Sequence, residues 1–388
     1  MSNYDKIMQK LNNDGAVGSM TTQISDANEL RELFNVSSDI SEIIKNTAAD
    51  TGAGAAVTRG VLSGEMKKLP EGMNAEVTLA AAKVVTIADN NQWVIDKDTN
   101  FSTAIDTLRL GKGASIKTEH TVLTMEINKL EYGSFTKSEG YSNGTVVANT
   151  KVPYHFGIFG TQGASGGNGT DGSNGNNGAA GKDGYVNGGS VVVNKASVGG
   201  NGMAGSNGGD GDDGRDGLSS LTTIITIRAI DPSVQNIAIH TQSGGGGNGG
   251  NGGKGGNGGA GGKGGKGDCT ACVTTDPANG GNGGNGGNGG AGGNGGNGVN
   301  GENIIIEIPA SFDRQRVNIS KQEAVYGRRG FAGAAGAAGA AGAAGDKGDA
   351  KRADGVHAGE VGTVGEIGTV GIDGTTNGLP GNISIRQI

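Results

Sequence analysis

Little in this chain of 388 residues is the usual material of a folded core. Aromatic residues make up 4% and hydrophobic residues 33% of it, so one conventional core serves only part of the length. Proline is scarce, 6 residues against 82 glycines, which removes the stiff residue that a collagen triple helix needs. Cysteine is nearly absent, and Cys269 and Cys272 alone say little about redox compartment. An excess of positive charge is missing too. The formal charge is −7 and the lysines and aspartates are interspersed, which argues against a nucleic-acid surface. Nowhere do about 18 apolar residues run together, and the first residues, MSNYDKIMQKLNND, lack an apolar h-region. The expectation is no membrane span and no Sec signal, so that work outside a cell requires another exit such as lysis.

What is present changes along the chain. Residues 1–70 carry helical stripes, Leu30, Leu33 and Phe34, then Ile40, Ile43 and Ile44, with Asp26 and Glu29 placed as a capping box. Short helices of this kind need a packing partner, so the segment is expected to serve attachment or assembly. Residues 71–160 read as a β domain, with VTLAAAKVVTIA, QWVID and TVLTMEINKLEYGSF as strands and Trp93 as the anchor of their core. From residue 161 to 388, β segments such as SVVVNKASV, LTTIITIRAI, VQNIAIHT, NIIIEI, QRVNISK and NISIRQI alternate with glycine-rich insertions at about 161–188, 199–218, 244–302 and 327–381.

Within the insertions glycine recurs at every third position, as from Gly163 to Gly184, Gly202 to Gly217, Gly246 to Gly267 and Gly280 to Gly301. A flexible linker has no reason to hold phase, whereas an extended helix with three residues per turn does. Collagen is disfavoured for lack of proline. RTX calcium repeats need G-G-x-G-x-D-x-U-x in tandem, and only the stretch from Gly208 to Asp213 approaches it. The period therefore predicts a bundle of polyglycine II helices, whose glycine faces let neighbouring backbones approach and exchange N–H···O=C bonds. In GGN and GGK repeats two faces are expected to pack inward while Asn or Lys faces out.

The equal runs from Gly246 to Gly267 and from Gly280 to Gly301 suggest an out-and-back excursion with its tip between them. The two shorter insertions are expected each to turn back near their middle. In the last insertion the phase breaks near Ala350 to Ala358, a second tip. Its GAA, GTV and GEI triplets leave one glycine face, so it should lie at the bundle edge or pack Val361, Val364, Ile367 and Val370 against something apolar. The predicted fold class is thus mainly β with a polyglycine II bundle and a small N-terminal α-helical segment.

The GGN and GGA triplets of 244–302 resemble those of the glycine-rich receptor-binding adhesins at the tail-fibre tips of T-even-type phages. They are also similar to the glycine-rich domains of PE_PGRS proteins, although the PE module has no counterpart in this chain. The phage resemblance implies a scaffold that displays variable loops at one end.

No GxSxG, HExxH, P-loop or Rossmann fingerprint stands in a fitting context, since G-x-G-x-x-G matches arise by chance in such repeats. Cys269-Thr270-Ala271-Cys272 is compatible with a loop staple or free thiol pair, half a zinc site, or a redox pair. The four histidines, His120, His155, His240 and His357, stand singly. Neither catalysis nor a metal or cofactor is expected. The candidate binding residues are those of the tips: Lys266, Asp268, Cys269, Thr270, Cys272, Thr274, Thr275 and Asp276 at one, Lys351, Arg352, Asp354 and His357 at the other. The expected function is surface recognition by a virion or extracellular adhesin, binding a bacterial receptor and joined to a fibre protein through the N-terminal segment. The alternatives are self-assembly with its own subunits, in the cytoplasm or outside, and ice binding.

Overall fold

The computed structural model describes residues 3–13, 19–36, 38–45, 61–62, 66, 68–69, 71, 74–148, 152–187, 191–270, 273–346 and 355–388. The chain begins with α1 (Asn3–Asn13), β1 (Ser19–Ile24), α2 (Ala27–Leu33) and α3 (Ser38–Lys45). Asp26 caps α2, its carboxylate accepting from the amides of Asn28 at 2.6 Å and Glu29 at 3.3 Å. The Glu29 side chain pairs with Lys10 on α1, which ties the two helices together.

From β2 (Ala75–Ile87) the chain steps across to β3 (Asn91–Val94), back to β4 (Asn100–Leu110), across to β5 (Ser115–Glu119) and back to β6 (Val122–Tyr132). After β7 (Thr145–Ala148) comes β8 (Phe156–Phe159), then a glycine-rich excursion carrying β9 (Tyr185–Asn187) and β10 (Val191–Asn194). The alternation resumes with β11 (Thr223–Ile230) and β12 (Ile237–Gln242). A second excursion, with β13 (Asp268–Cys269) and β14 (Thr274–Thr275), leads to β15 (Ile304–Ile308) and β16 (Val317–Gln322), and a third leads to β17 (Ile383–Gln387).

The strands form a seven-stranded sheet, β1-β2-β4-β6-β11-β15-β17, and a six-stranded sheet, β16-β12-β8-β5-β3-β7. Every neighbouring pair is parallel except those of β1 and β7, which close one edge of each sheet in antiparallel fashion. Successive coils therefore stack in sequence order, each contributing one strand to each sheet. Between the sheets lies a core of Trp93, Phe101, Ile127, Phe156, Ile225 and Ile239 among others. Trp93 stands edge-on to Phe101 with ring centres 6.4 Å apart and donates its indole N–H to Asn143 O at 3.0 Å. A second core forms where Ile7, Leu11, Leu30, Phe34, Ile40 and Ile44 of the helices cover Val77, Leu79, Ala104 and Ile224 of the larger sheet. Burial on both faces explains why VTLAAAKVVTIA and NIIIEI read as continuous apolar runs.

All three excursions leave from the same corner, where a strand of the smaller sheet hands the chain back to the larger. In the early coils this corner is short, residues 95–99 and 120–121; in the later ones it extends into a pair of long legs. Counted along the chain, the legs are 163–184, 197–217, 244–267, 278–301, 325–345 and 357–379. Legs of one excursion bond antiparallel, as Gly209 N to Thr170 O and Gly290 N to Gly253 O, both 2.8 Å. Legs of successive excursions bond parallel, as Gly169 N to Asn251 O and Gly252 N to Phe331 O, both 2.8 Å. Further bonds, such as Gly253 N to Gly209 O at 2.8 Å, knit the second leg to the third and likewise the fourth to the fifth. The third and fourth legs thus each contact four neighbours, and they are the legs built of Gly-Gly-X. The outer legs keep one glycine per triplet because they contact fewer chains.

Each glycine at a contact leaves no room for a methyl group: a Cβ on Gly290 would lie 1.9 Å from Gly209 O. The third amide of the triplet is satisfied differently. Asn251 N donates to Asn168 Oδ1 at 2.9 Å, and the Asn251 side chain accepts from Phe331 N at 2.8 Å one layer on. Asn207, Asn288 and Glu366 repeat the relay at 2.9 Å per step. The Asn residues are solvent-exposed as expected, and in addition their side-chain carbonyls cap the backbone of the next layer. The last layer has no further layer to cap, so Ala, Val and Thr mostly replace Asn there, while Asp373 and Asn377 cap Arg329 N and Tyr326 N within it. Val361, Val364, Ile367 and Val370 are exposed, the edge position being the outcome.

One expectation is overturned. The insertions at 161–188 and 199–218 do not turn back separately; they supply the two legs of one excursion, and Val191–Asn194 of SVVVNKASV forms β10, paired with β9 at its end. Their equal phase could not reveal which leg pairs with which, because that is set by where the next coil begins.

At the root of the bundle, Glu302 is fully buried and accepts from the Thr222 amide at 2.9 Å and from its hydroxyl. In the coil itself His155 Nδ1 accepts from Ala238 N at 3.0 Å, and burial holds the imidazole down at about 4 against its ordinary 6.5. A depressed histidine favours the neutral form, so its contribution is present above the ordinary value and is lost as pH falls through the folded one. Stability measured by denaturant titration should therefore decline from about pH 6.5 toward pH 4, and His155→Gln should flatten that part of the profile. In the bundle, Gly290→Ala should cost about 3 kcal/mol in chemical denaturation, the upper range for overpacking. Ala337→Ser, on the exposed face of the fifth leg, should stay within about 0.5 kcal/mol.

Candidate functional site

The far ends of the excursions lie side by side. Gly184 N donates to Lys266 O at 2.8 Å, joining the first excursion to the second. Gly267 N donates to Asp346 O at 3.0 Å and Gly280 N to His357 O at 3.1 Å, joining the second to the third. In the second tip β13 and β14 pair antiparallel, Asp268 opposite Thr275 and Cys269 opposite Thr274. Thr270 N closes the turn on Val273 O at 2.9 Å.

Asp268 is the hub of this end. One carboxylate oxygen accepts from Val186 N of the first tip at 2.9 Å, the other from Cys269 N at 2.9 Å. The Thr274 hydroxyl donates to Asp268 O at 3.4 Å. Thr275 is buried, its methyl in the space that a Cβ on Gly184 would fill at 2.5 Å. It packs the two tips together and is not presented to solvent. Cys269 is half-buried and its S–H donates to Thr270 O at 3.1 Å.

Exposed groups surround that hub: the side chains of Lys266, Thr274, Asp276 and His357. The Lys266 amide is capped by Asp183 Oδ1 at 2.7 Å, and Lys263 pairs with Asp346 at 2.6 Å. That lysine, through its hydrogen bond and its charge, holds the Asp346 carboxyl below the usual carboxylate range. The arrangement is a mosaic of donors, acceptors and both charges on a braced backbone. Among the described residues no group of three or more His, Cys, Asp or Glu gathers as a metal site. Compared with family models, curated proteins and solved structures, the chain matches none.

The structure thus brings together Lys266, Asp268, Cys269, Thr270, Thr274, Thr275, Asp276 and His357, while Cys272, Lys351, Arg352 and Asp354 lie outside the described residues. Sequence reasoning missed Tyr185, 54% exposed on the first tip, and the neighbouring Asp183, Lys263 and Asp346. The signal was there: Tyr185 directly follows Gly184, the last glycine in phase, where a leg must become a turn. Replacing Asp268 by Ala should release Val186, seen as at least tenfold faster exchange of its amide hydrogen, while glycine amides in the middle of the legs keep their rates.

Proposed function

We propose that the legs are polyglycine II helices and that the protein is a non-enzymatic adhesin, presenting polar tips on a rigid bundle to a receptor on a bacterial surface. The observation that carries this reading is the meeting of the first two tips with the flanks of the third, Asp346 and His357, at one end of a hydrogen-bonded bundle. Irregular polar turns on a rigid scaffold are where recognition concentrates, and bracing them in advance lowers the ordering cost of binding. Glycine at every interchain contact and amide bonds repeating every third residue support the polyglycine II assignment. In that geometry the 22 residues from Gly246 to Gly267 span roughly 68 Å at about 3.1 Å each. Such a reach holds the tips clear of the coil and of whatever carries it. The helices packed on the larger sheet, together with its edge strand β1, serve attachment to a fibre protein, and the protein acts on a virion or in the extracellular space.

A second reading, self-assembly, is favoured by one observation. Val361, Val364, Ile367 and Val370 form an exposed apolar row at three-residue spacing in the final layer, and β16 and β17 end their sheets. Both readings are tested together by labelling the full chain, measuring its binding to a panel of bacterial strains, and imaging the protein alone by electron microscopy. The adhesin reading expects discrete particles and cell binding that falls at least tenfold when residues 273–276 are replaced by a Gly-Ser turn. Cell binding untouched by that replacement, or filaments of the protein alone, would count against it.

A further inference from the structure

The root of the bundle, opposite the tips, holds a cleft of about 730 Å³ on the outer face of the smaller sheet. Its floor follows from strand register. Glu119, Phe159, Gln242 and Gln322 stand in one row across β5, β8, β12 and β16, and Lys117, Gly157, His240 and Ser320 in the next. Gly157 is the telling member. A glycine inside a strand weakens it, and here a Cβ would fall 2.5 Å from the Tyr154 ring and 2.6 Å from the Phe159 ring. The bare position lets Tyr154 lie across the sheet, stacked on His240 at 5.6 Å and 15° and tilted against Phe159 at 5.7 Å. Lys117 sits over the Phe159 ring, 5.4 Å from its centre, and pairs with Glu119 at 3.0 Å.

The walls add amides held in one orientation. Gln162 donates its side-chain N–H to Gly246 O at 2.7 Å and Gln242 to Glu323 O at 3.3 Å. A main-chain carbonyl only accepts, so these contacts fix which end of each amide is the donor and leave its oxygen as an acceptor beside the cleft. Gln92 donates to Ser115 Oγ at 2.9 Å and to the Tyr154 hydroxyl at 3.3 Å. Tyr326, 38% exposed, and Arg328 close the opposite side from the last excursion.

We propose that this cleft binds an oligosaccharide. Ligand sites of its size usually hold small molecules by apolar walls and a few fixed polar groups. Here the fixed groups are mainly carbonyl acceptors, which suit a ligand rich in hydroxyl donors, and the walls are Phe159 and Tyr326, which suit the C–H faces of sugar rings. The lining is too polar for a lipid, and Arg328 is the only cation in it besides Lys117, which Glu119 neutralises, too few for a polyphosphate. The site is independent of the tips: its residues belong to the coil and to the first triplets of the legs.

The test is a printed array of bacterial-surface and animal oligosaccharides probed with the labelled full-length protein. Binding to at least one glycan is expected, falling at least tenfold in Gln162→Ala/Tyr326→Ala and, as a separate lesion, in Arg328→Ala, with the thermal midpoint unchanged because all three side chains are exposed. The tip replacement should keep this binding, so failure of the tip reading and failure of the cleft are distinguishable. An array with no glycan bound, or binding insensitive to both cleft variants, overturns the proposal.

Discussion

Every layer of the molecule is spaced by one interaction, the backbone N–H···O=C bond between a chain and its copy one coil later. In the sheets this bond sets neighbouring strands about 4.8 Å apart. The legs leave from strands already stacked at that distance, so they enter the bundle side by side with their backbones close enough to bond. At such an approach a Cβ has nowhere to go: on most interior glycines it would lie 1.8–2.5 Å from a neighbouring backbone atom. Glycine in phase is therefore the condition for extending a sheet-like stack beyond the strands that start it.

That constraint also distributes the other residues. Legs with four neighbours use Gly-Gly-X, and legs with fewer use one glycine per triplet. The remaining amide is capped in many triplets by Asn or Asp from the preceding layer, so these residues are frequent in legs one to four and sparse in the last layer, where Asp373 and Asn377 cap amides of the fifth leg. Conformational entropy, the chief cost of ordering glycine, is met by pairing most amides of the third and fourth legs and by anchoring both ends of each excursion in buried strands. At the root, Glu302 and Thr222 make that anchorage polar and directional.

Much of the fold was legible. Period-two and continuous apolar segments located the principal strands of the last coils to within a few residues, since a buried strand must be apolar whichever sheet it joins. The alternation of those strands between two sheets was not legible, because parallel partners one coil apart leave no turn signal between them. FSTAIDTLRL, the strand β4, went unmarked for a related reason: buried on both faces, it shows no alternation, and its Ser102 and Thr103 disguise it as loop while Ser102 in fact donates to Leu33 O. At the candidate site the break in glycine phase marked the second tip, yet the role of Asp268 depends on Val186, 82 positions away in the chain.

The sequence by itself determined that glycine holds its phase along each run, that the second excursion has equal legs, and that strands bracket them, because each of these is a local periodicity or a length. Tertiary structure alone decided that the first two insertions form a single excursion, that Asn caps amides as well as facing water, and that the tips meet at one end. Those outcomes depend on the nearly constant offset of about 80 residues between successive excursions, which brings distant triplets into register and leaves no trace within any one of them.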